Sequence, residues 1–466
     1  MNRTTLISAL IALGSLIAAV MMRPIEIPPA VFQDTGELLF PKFTDPAQAT
    51  SLEVIGYDET GARATSFKVE QKEGRWVIPS HNDYPADGAE RMGKAAASFI
   101  DAKRDVLRSD RVEDHSSFGV EDPQSPSPKG AGQRIIIKDN AGTVLVDAVV
   151  GKVPEDKQGF RYIRLMGENN KRVYASKFEL DISTNFTDWI EKDLLKMEQD
   201  RVVEFLNDPY NVDEAVGKVV NRDPLLLKKQ PDPEKPDDKN GMWVIAEGTP
   251  IAGKEVDPFK VRQVVGAIDR LQIVGVRPRP EPLTFQALQS KGFFVTPDGR
   301  QLFGNEGEVK AICDDGVVYT LYFGEITLDS GLALTSGAEA EKPAEKPEGE
   351  EEKKDANRFM FVNVAYDATR DAAATDPAAG AETEGMKRAK ALKARFDKWF
   401  YVISDANFKQ IHKTKADLFK DASAGGSSPA SPMMPGMPGM PGAPAKGPTK
   451  APPKPAPPTK APAKTP

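Results

Sequence analysis

Residues 134–151 read RIIIKDNAGTVLVDAVVG, two apolar runs on either side of the turn Asp139-Asn140-Ala141-Gly142. Asn and Gly tolerate the positive φ that a tight turn between antiparallel strands requires, so this stretch predicts a β-hairpin. Residues 309–324, VKAICDDGVVYTLYFG, repeat the arrangement around Asp314-Asp315-Gly316. Two hairpins with similar turn chemistry, one in each half of the chain, predict an internal duplication.

Further blocks recur in the same order in both halves. The sequence WVI occurs at 76–78 and again at 243–245, and an amphipathic segment with a helix start signal follows each copy. Asp87, with Glu90 at capping-box spacing, is the predicted N-cap of the first helix. The second helix is predicted to begin with Asp257 as N-cap and Pro258 in the first turn. The predicted apolar stripes are Ala89, Met92, Ala96 and Phe99 in the first helix, and Val261, Val264, Val265, Ile268 and Leu271 in the second.

Strands, one helix and then more strands in each half predict an α+β fold made of two tandem related units. We place the first unit at 47–200 and the second at 201–420. Charged, apolar-poor stretches at 336–357 and 369–390 are predicted to be flexible insertions between strands of the second unit. The further matched strands are 51–57 with 201–206, 160–164 with 358–362, and 173–178 with 400–404.

Residues 4–22, TTLISALIALGSLIAAVMM, carry no charge and lie between Arg3 and Arg23. At about 1.5 Å per residue this run spans about 28 Å, close to the hydrocarbon thickness of a bilayer. The run is longer than the apolar region of a typical signal peptide and ends without a small-x-small cleavage site. It therefore favours an uncleaved transmembrane anchor, residues 1–23, over a cleaved signal peptide or a buried helix. Arg3 beside the amino terminus predicts a single-pass inner-membrane protein with its bulk in the periplasm.

The net charge of −7 argues against a general nucleic-acid binder, which normally shows a basic excess. The tail at 421–466 is rich in Pro, Lys and Met and predicts disorder; a docking segment is the alternative interpretation.

The first half contains a series of short motifs: Trp76-Val77-Ile78, Phe118-Gly119-Val120-Glu121-Asp122-Pro123, Gly151, Tyr162-Ile163-Arg164 and Val173-Tyr174. These motifs resemble the bacterial family called domain of unknown function 4340. The second half lacks the Phe118–Pro123 element and offers only Gly292-Phe293-Phe294-Val295 in its place. The resemblance implies an amino-terminal anchor followed by one or two copies of the pattern, often beside auxiliary components of gliding-motility-type ABC transporters.

Side chains that carry catalysis are scarce. The three histidines, His81, His115 and His412, have no zinc-helix spacing and are predicted to be surface polar residues. Cys313 lies in an apolar run and is predicted to be buried rather than nucleophilic. Trp76 and Trp243 are predicted to pack in the core rather than to line a ligand pocket. We therefore predict no catalytic, cofactor-binding or metal-binding residue and no cofactor.

Residues 386–400 carry six cations against one acid, Asp397. Apolar residues fall on one face of the predicted helix, which indicates either a structural helix that docks on the second unit or a surface for an anionic membrane or a partner. The cations are Lys387, Arg388, Lys390, Lys393, Arg395 and Lys398, and the apolar residues are Ala389, Leu392, Phe396 and Trp399.

These observations predict a non-enzymatic, membrane-anchored accessory or scaffold protein of a cell-envelope complex, such as an ABC-type transporter. Residues 4–22 would contact the membrane, and a protein partner, not a nucleic acid, would bind outside it. The alternative is a binding module for envelope polysaccharide or peptidoglycan. A hydrolase is the third interpretation, disfavoured because no triad or dyad can be assembled from the spacing.

Overall fold

The computed structural model describes residues 34–59, 62–167, 171–180, 182–213, 218–233, 241–296, 298–338, 356–375 and 382–422. The predicted anchor at 4–22 and nearly all of the tail at 421–466 lie outside these residues. Within the described part of the chain, no helix combines the length and the apolar character needed to cross a membrane. The described residues from 34 to 421 belong to one compact unit.

The chain in this unit forms strands connected mostly by short turns. The strands are β1 Ser51–Asp58, β2 Arg63–Lys72, β3 Arg75–Ile78, β4 Tyr84–Pro85, β5 Val106–Ser109, β6 Gln133–Lys138, β7 Val144–Val150, β8 Phe160–Leu165, β9 Val173–Lys177, β10 Val202–Asp208, β11 Asn211–Asp213, β12 Lys218–Val220, β13 Leu225–Gln230, β14 Met242–Glu247, β15 Lys254–Val256, β16 Gly275–Pro278, β17 Phe293–Val295, β18 Leu302–Gly304, β19 Glu308–Cys313, β20 Asp315–Thr327, β21 Asn357–Asp371, β22 Trp399–Ser404 and β23 Phe419–Asp421.

Seven α-helices accompany the strands in the described part of the chain. They are α1 Ala89–Ile100, α2 His115–Phe118, α3 Pro258–Asp269, α4 Phe285–Gln289, α5 Gly331–Ser336, α6 Glu384–Phe396 and α7 Asp405–Ile411.

The predicted α+β class is wrong, because the fold is built mainly of large antiparallel sheets. About 40% of the described residues lie in strands and 23% in helices. Sheet A has nine strands in the order β4-β3-β2-β1-β6-β7-β8-β9-β5, and sheet B has eight in the order β14-β13-β10-β19-β20-β21-β22-β16. Hairpin-linked strands extend each sheet without an intervening helix, so one amphipathic segment per half does not make a tandem α+β pattern.

The two sheets nevertheless share their strand order. Matching β10, β13 and β14 to β1, β2 and β3, β19–β22 to β6–β9, and β16 to β5 makes the two orders identical, apart from the additional β4 in sheet A. Both predicted hairpins are confirmed, as β6–β7 and β19–β20. Gly142 and Gly316 have φ of 80° and 78° at their turns.

One helix crosses each sheet, α1 from β4 to β5 and α3 from β15 to β16. The predicted stripe of α3 is confirmed, and Asp257 caps this helix by accepting the Phe259 amide at 3.0 Å. The predicted Asp87 cap is wrong: α1 has Gly88 as its N-cap, and the Asp87 amide donates to the Trp189 carbonyl. Ala89 is exposed, so its place in the predicted stripe is also wrong.

A single hydrophobic core contains residues of both sheets. At the junction Tyr84 of β4 contacts Trp399 of β22, with ring centroids 4.9 Å apart. The proposed unit boundaries at 47–200 and 201–420 stay a prediction. Of the two predicted insertions, 339–355 and 376–381 lie outside the described residues. Residues 369–371 end β21 and 384–390 begin α6, so these parts of the second insertion are regular structure.

Candidate functional site

Four residues of the family motifs, Phe118, Val120, Tyr162 and Val173, gather in a small cluster on one face of sheet A. Helix α2 ends at Gly119, where φ is 71°, and the Phe118 ring packs 4.6 Å from the Tyr162 ring. The side chain of Arg164 donates to the Val120 carbonyl at 2.8 Å. Val120 is fully buried and packs in a small cluster with Val149 and Val173. The motif residues therefore fasten α2 and the segment that follows it, together called the α2 loop, to sheet A.

Gly151 is part of this fastening because the loop backbone leaves no room for a side chain. A Cβ atom at this position would lie 2.5 Å from the Phe118 carbonyl oxygen. Sheet B contains the same contact without the Phe118–Pro123 sequence, because a Cβ at Gly324 would overlap the Lys291 carbonyl. Gly292, with φ of 76°, stands where sheet A has Gly119.

An arginine binds the carbonyl of this close-packed glycine in both sheets. Arg161 donates to the Gly151 carbonyl at 3.4 Å, and Arg358 donates to the Gly324 carbonyl at 2.7 Å. Arg161 thus corresponds to Arg358. The predicted matching of 160–164 with 358–362 is therefore off by one residue.

Two of the three histidines are buried, which contradicts their prediction as surface residues. His81 is 2% exposed and stacks on Phe186 with ring centroids 4.2 Å apart. Burial lowers the pKa of His81 to about 4, so the ring is neutral at pH 7. His115 is 3% exposed, and its Nε2 lies 2.9 Å from the Lys171 carbonyl oxygen. Each imidazole ring packs in the protein interior and has one ring nitrogen within hydrogen-bond distance of a neighbour. The spacing of the histidines in the sequence does not indicate this structural role.

His412 and Cys313 also belong to the packing of sheet B. His412 is half-buried against Phe408 with ring centroids 4.6 Å apart, and burial lowers its pKa. Cys313 is fully buried in β19, which confirms its prediction, and burial raises the pKa of its thiol to about 12. The described residues contain no group of three or more His, Cys, Asp or Glu side chains arranged to hold a metal ion.

The tryptophans are core residues, as predicted. Trp243 is buried, and Trp76 is half-buried against the same core. The indole nitrogen of Trp243 has no hydrogen-bond partner among the described residues, and Trp243 borders a cavity of only about 10 Å³. Such a cavity is too small for an organic ligand.

The cationic stretch at 386–400 supports the structural interpretation of its helix. Helix α6 buries Gly385, Ala389, Leu392 and Phe396. Acids outside the stretch neutralise its charges: Lys387 pairs with Glu384, Lys390 with Glu382, and Arg388 with Asp315. Lys393 pairs with Asp397.

A second cationic feature, which the sequence analysis missed, lies in a cleft of about 520 Å³ between α3 and the chain from α7 to β23. We call it the cationic groove. Lys260 of α3 and Arg270, the residue that follows α3, line it together with Lys413, and none of the three forms an ion pair with the described residues. The ammonium groups of Lys260 and Lys413 donate to the Phe419 and Lys409 carbonyls. The remaining lining residues are Gln263, Val264, Ala267, Gln410, Asp417 and Leu418.

Asp417 is the acidic residue of the groove, and its carboxylate is already engaged. It accepts hydrogen bonds from the Thr414 hydroxyl at 2.7 Å and the Thr414 amide at 2.9 Å. These bonds, together with the charges of Lys413 and Lys260, lower the pKa of Asp417. Three cations against one satisfied carboxylate leave the groove positive, and amides at Gln263 and Gln410 add neutral hydrogen-bonding groups. This arrangement suits an extended anionic ligand.

Comparison with known proteins gives one match. No curated protein and no solved structure matches the chain. A family model matches residues 76–289, from Trp76 in β3 of sheet A to the last residue of α4 beside sheet B. The matching model is that of the family described as Domain of unknown function (DUF4340), which supports the resemblance seen in the sequence motifs.

Proposed function

We propose that this chain is a membrane-anchored accessory subunit of a cell-envelope complex and that it binds an acidic segment of a partner protein in the cationic groove. The observation that carries the proposal is the set of three cations, Lys260, Arg270 and Lys413, which line a cleft of ligand size and form no ion pair within the described part of the chain. Unpaired cations along a groove give an acidic chain both attraction and orientation. The motif resemblance supports an ABC-type transporter as the complex.

The test uses the full chain in detergent and a fluorescent deca-glutamate peptide, with a deca-glutamine peptide as the neutral reference. Binding is measured by anisotropy. The groove variant replaces Lys260, Arg270 and Lys413 with Gln. Exposed ion pairs contribute about 0.2–1 kcal/mol each, so this variant should bind roughly 3- to 150-fold more weakly. Wild-type affinity should also fall as salt is raised.

The matched control replaces Lys387, Lys390 and Lys393 of α6 with Gln. It removes the same charge, but each of these lysines already has an acidic neighbour. The control should therefore keep near wild-type affinity. Equal losses in the two variants would show that net charge, not the groove, attracts the peptide. A peptidoglycan fragment that binds while deca-glutamate does not would favour the alternative function, an envelope polysaccharide or peptidoglycan binding module.

A further inference from the structure

Each large sheet has two edge strands, β4 and β5 in sheet A and β14 and β16 in sheet B. The four edge strands differ in how they are protected from pairing with a further strand. An outer strand exposes unpaired backbone groups to which another strand can add, so natural proteins usually shorten, bend, cover or charge it. Three of the four follow this rule. Strand β14 does not.

The three protected edges use different devices. Strand β4 has only two residues, and one of them, Pro85, lacks an amide donor. Strand β5 has only four residues, and one of them is the charged Arg108. Helix α5 lies against β16, where Arg277 donates to the carbonyls of Ala333 and Leu334.

Strand β14 has six residues, and among the described strands only β13 is hydrogen-bonded to it, although β15 lies close by. Its sequence is MWVIAE, so Glu247 is its single charged residue and stands at its end. Trp243 and Ile245 pack on the core side, which leaves Met242 (39% exposed) and Ala246 on the outer face. An apolar strand of this length without a Lys, an internal Pro or a covering helix is well suited to pair with another strand.

We propose that β14 pairs with β14 of a second copy of this chain, antiparallel about a two-fold axis, so that the two B sheets become continuous. Directly opposite residues in an antiparallel pair point to the same face of the sheet. With Val244 on the axis, Met242 faces Ala246 and Trp243 faces Ile245 of the other copy. The core-side residues of both copies then remain on the core side.

The charges of the strand also permit this pairing. In the same register each Glu247 lies opposite Gly241 of the other copy, so no like charges meet across the ladder. A closed two-fold contact uses the same patch on both chains and leaves no further B-sheet edge of this kind open. The proposal does not depend on the cationic groove, which lies on the side of α3 that faces α7.

Single cysteines introduced at Met242, Val244 and Ala246 in the full chain test the pairing. One position on β14 lies nearest the two-fold axis. If the cysteine is moved two residues along the strand, the cysteines of the two copies move in opposite directions and separate by about 14 Å, at about 3.4 Å per residue. A disulfide needs Cα atoms closer than about 7 Å. Mild oxidation should therefore yield a disulfide-linked dimer at one position and much less at its neighbours. Cys313 is buried and does not compete.

Val144→Cys is the matched control, because Val144 is 51% exposed but begins β7, an inner strand of sheet A. The double variant Met242→Lys/Ala246→Lys should halve the mass measured by light scattering while the circular dichroism spectrum stays unchanged. The proposal is overturned if wild type has the monomer mass at tens of micromolar and no β14 position cross-links above the control. Cross-linking of β14 to a different protein, without a dimer of this chain, also overturns it.

Discussion

Replacing Arg388 with Met tests whether α6 is a structural part of the compact unit. The guanidinium donates to two residues of β20, Asp315 at 2.7 Å and the Tyr319 hydroxyl at 3.1 Å, and to the Lys196 carbonyl at 2.7 Å. The Arg388 and Asp315 side chains are 23% and 11% exposed. Methionine keeps the aliphatic stem in place but removes all three bonds.

The cost of this replacement can be worked from the groups left behind. Removing one partner of a fully buried ion pair costs about 3–5 kcal/mol. Asp315 keeps a second cation, Arg201, at 3.2 Å, and the Tyr319 hydroxyl still donates to the Leu195 carbonyl. We therefore expect a loss of about 2–4 kcal/mol. With an unfolding entropy of about 2.1 cal/mol/K per residue over roughly 390 residues, the melting temperature should fall by about 2–5 °C.

Thermal unfolding of the full chain in detergent, followed by tryptophan fluorescence, measures this shift. Lys387→Met is the control on the same helix, since Lys387 is 55% exposed and pairs with Glu384 one turn away. Such an exposed pair contributes little to stability, so the melting temperature of this variant should fall by much less than that of Arg388→Met. If the two variants have the same melting temperature, the hydrogen bonds of Arg388 do not hold α6 in place. The exposed cations of α6 are then better explained as a surface for a membrane or a partner.

Three further predictions concern the α2 fastening, a buried histidine and the anchor. Gly151→Ala should cost more than about 2 kcal/mol in chemical denaturation because its Cβ meets the Phe118 carbonyl, whereas Gly93→Ala in α1 has open space and should gain up to about 1 kcal/mol. The pKa of His81 is lowered in the folded state, so the unfolded chain binds the proton more tightly and stability falls as pH drops from about 6.5 towards about 4. His81→Phe should remove this part of the acid-side loss, and an unchanged pH profile would contradict the assignment. A protein anchored by residues 4–22 should remain in the membrane fraction after a carbonate wash; a soluble mature form that begins near residue 24 would refute the anchor.

Features determined by neighbouring residues were predictable from the sequence. The turn at Gly142 forms because Asp139 accepts the Ala141 and Thr143 amides, all within a few residues. The Asp257 cap is equally local. The same reasoning failed at Asp87, whose amide bonds to the distant Trp189 carbonyl instead. The prediction that His81 and His115 lie on the surface failed for a similar reason, because the residues that contact their rings lie on other elements.

The cationic groove shows why a site can escape sequence reasoning altogether. Lys260, Gln263 and Arg270 do recur at helical spacing, which marks the polar face of α3. Lys413, which completes the groove, comes from a separate segment far along the chain. Its approach to α3 depends on the pairing of β15 with β23, both only three residues long. Strands this short carry too few alternating residues to be recognised.

The pairing of β15 with β23 also explains why β14 lies at the edge of sheet B. In sheet A the short strand before the crossover helix, β4, pairs with β3 and so ends the sheet. In sheet B the short strand at the same place, β15, pairs with β23 instead, and the Asp257 amide that follows it donates to the Leu418 carbonyl. This pairing draws residues 413–418 alongside α3, where they form the far wall of the groove. Among the described strands, it also leaves β14 without the hydrogen-bonded neighbour that β3 has in β4. One exchange of strand partners therefore accounts both for the cationic groove and for the position of β14 at the edge of sheet B.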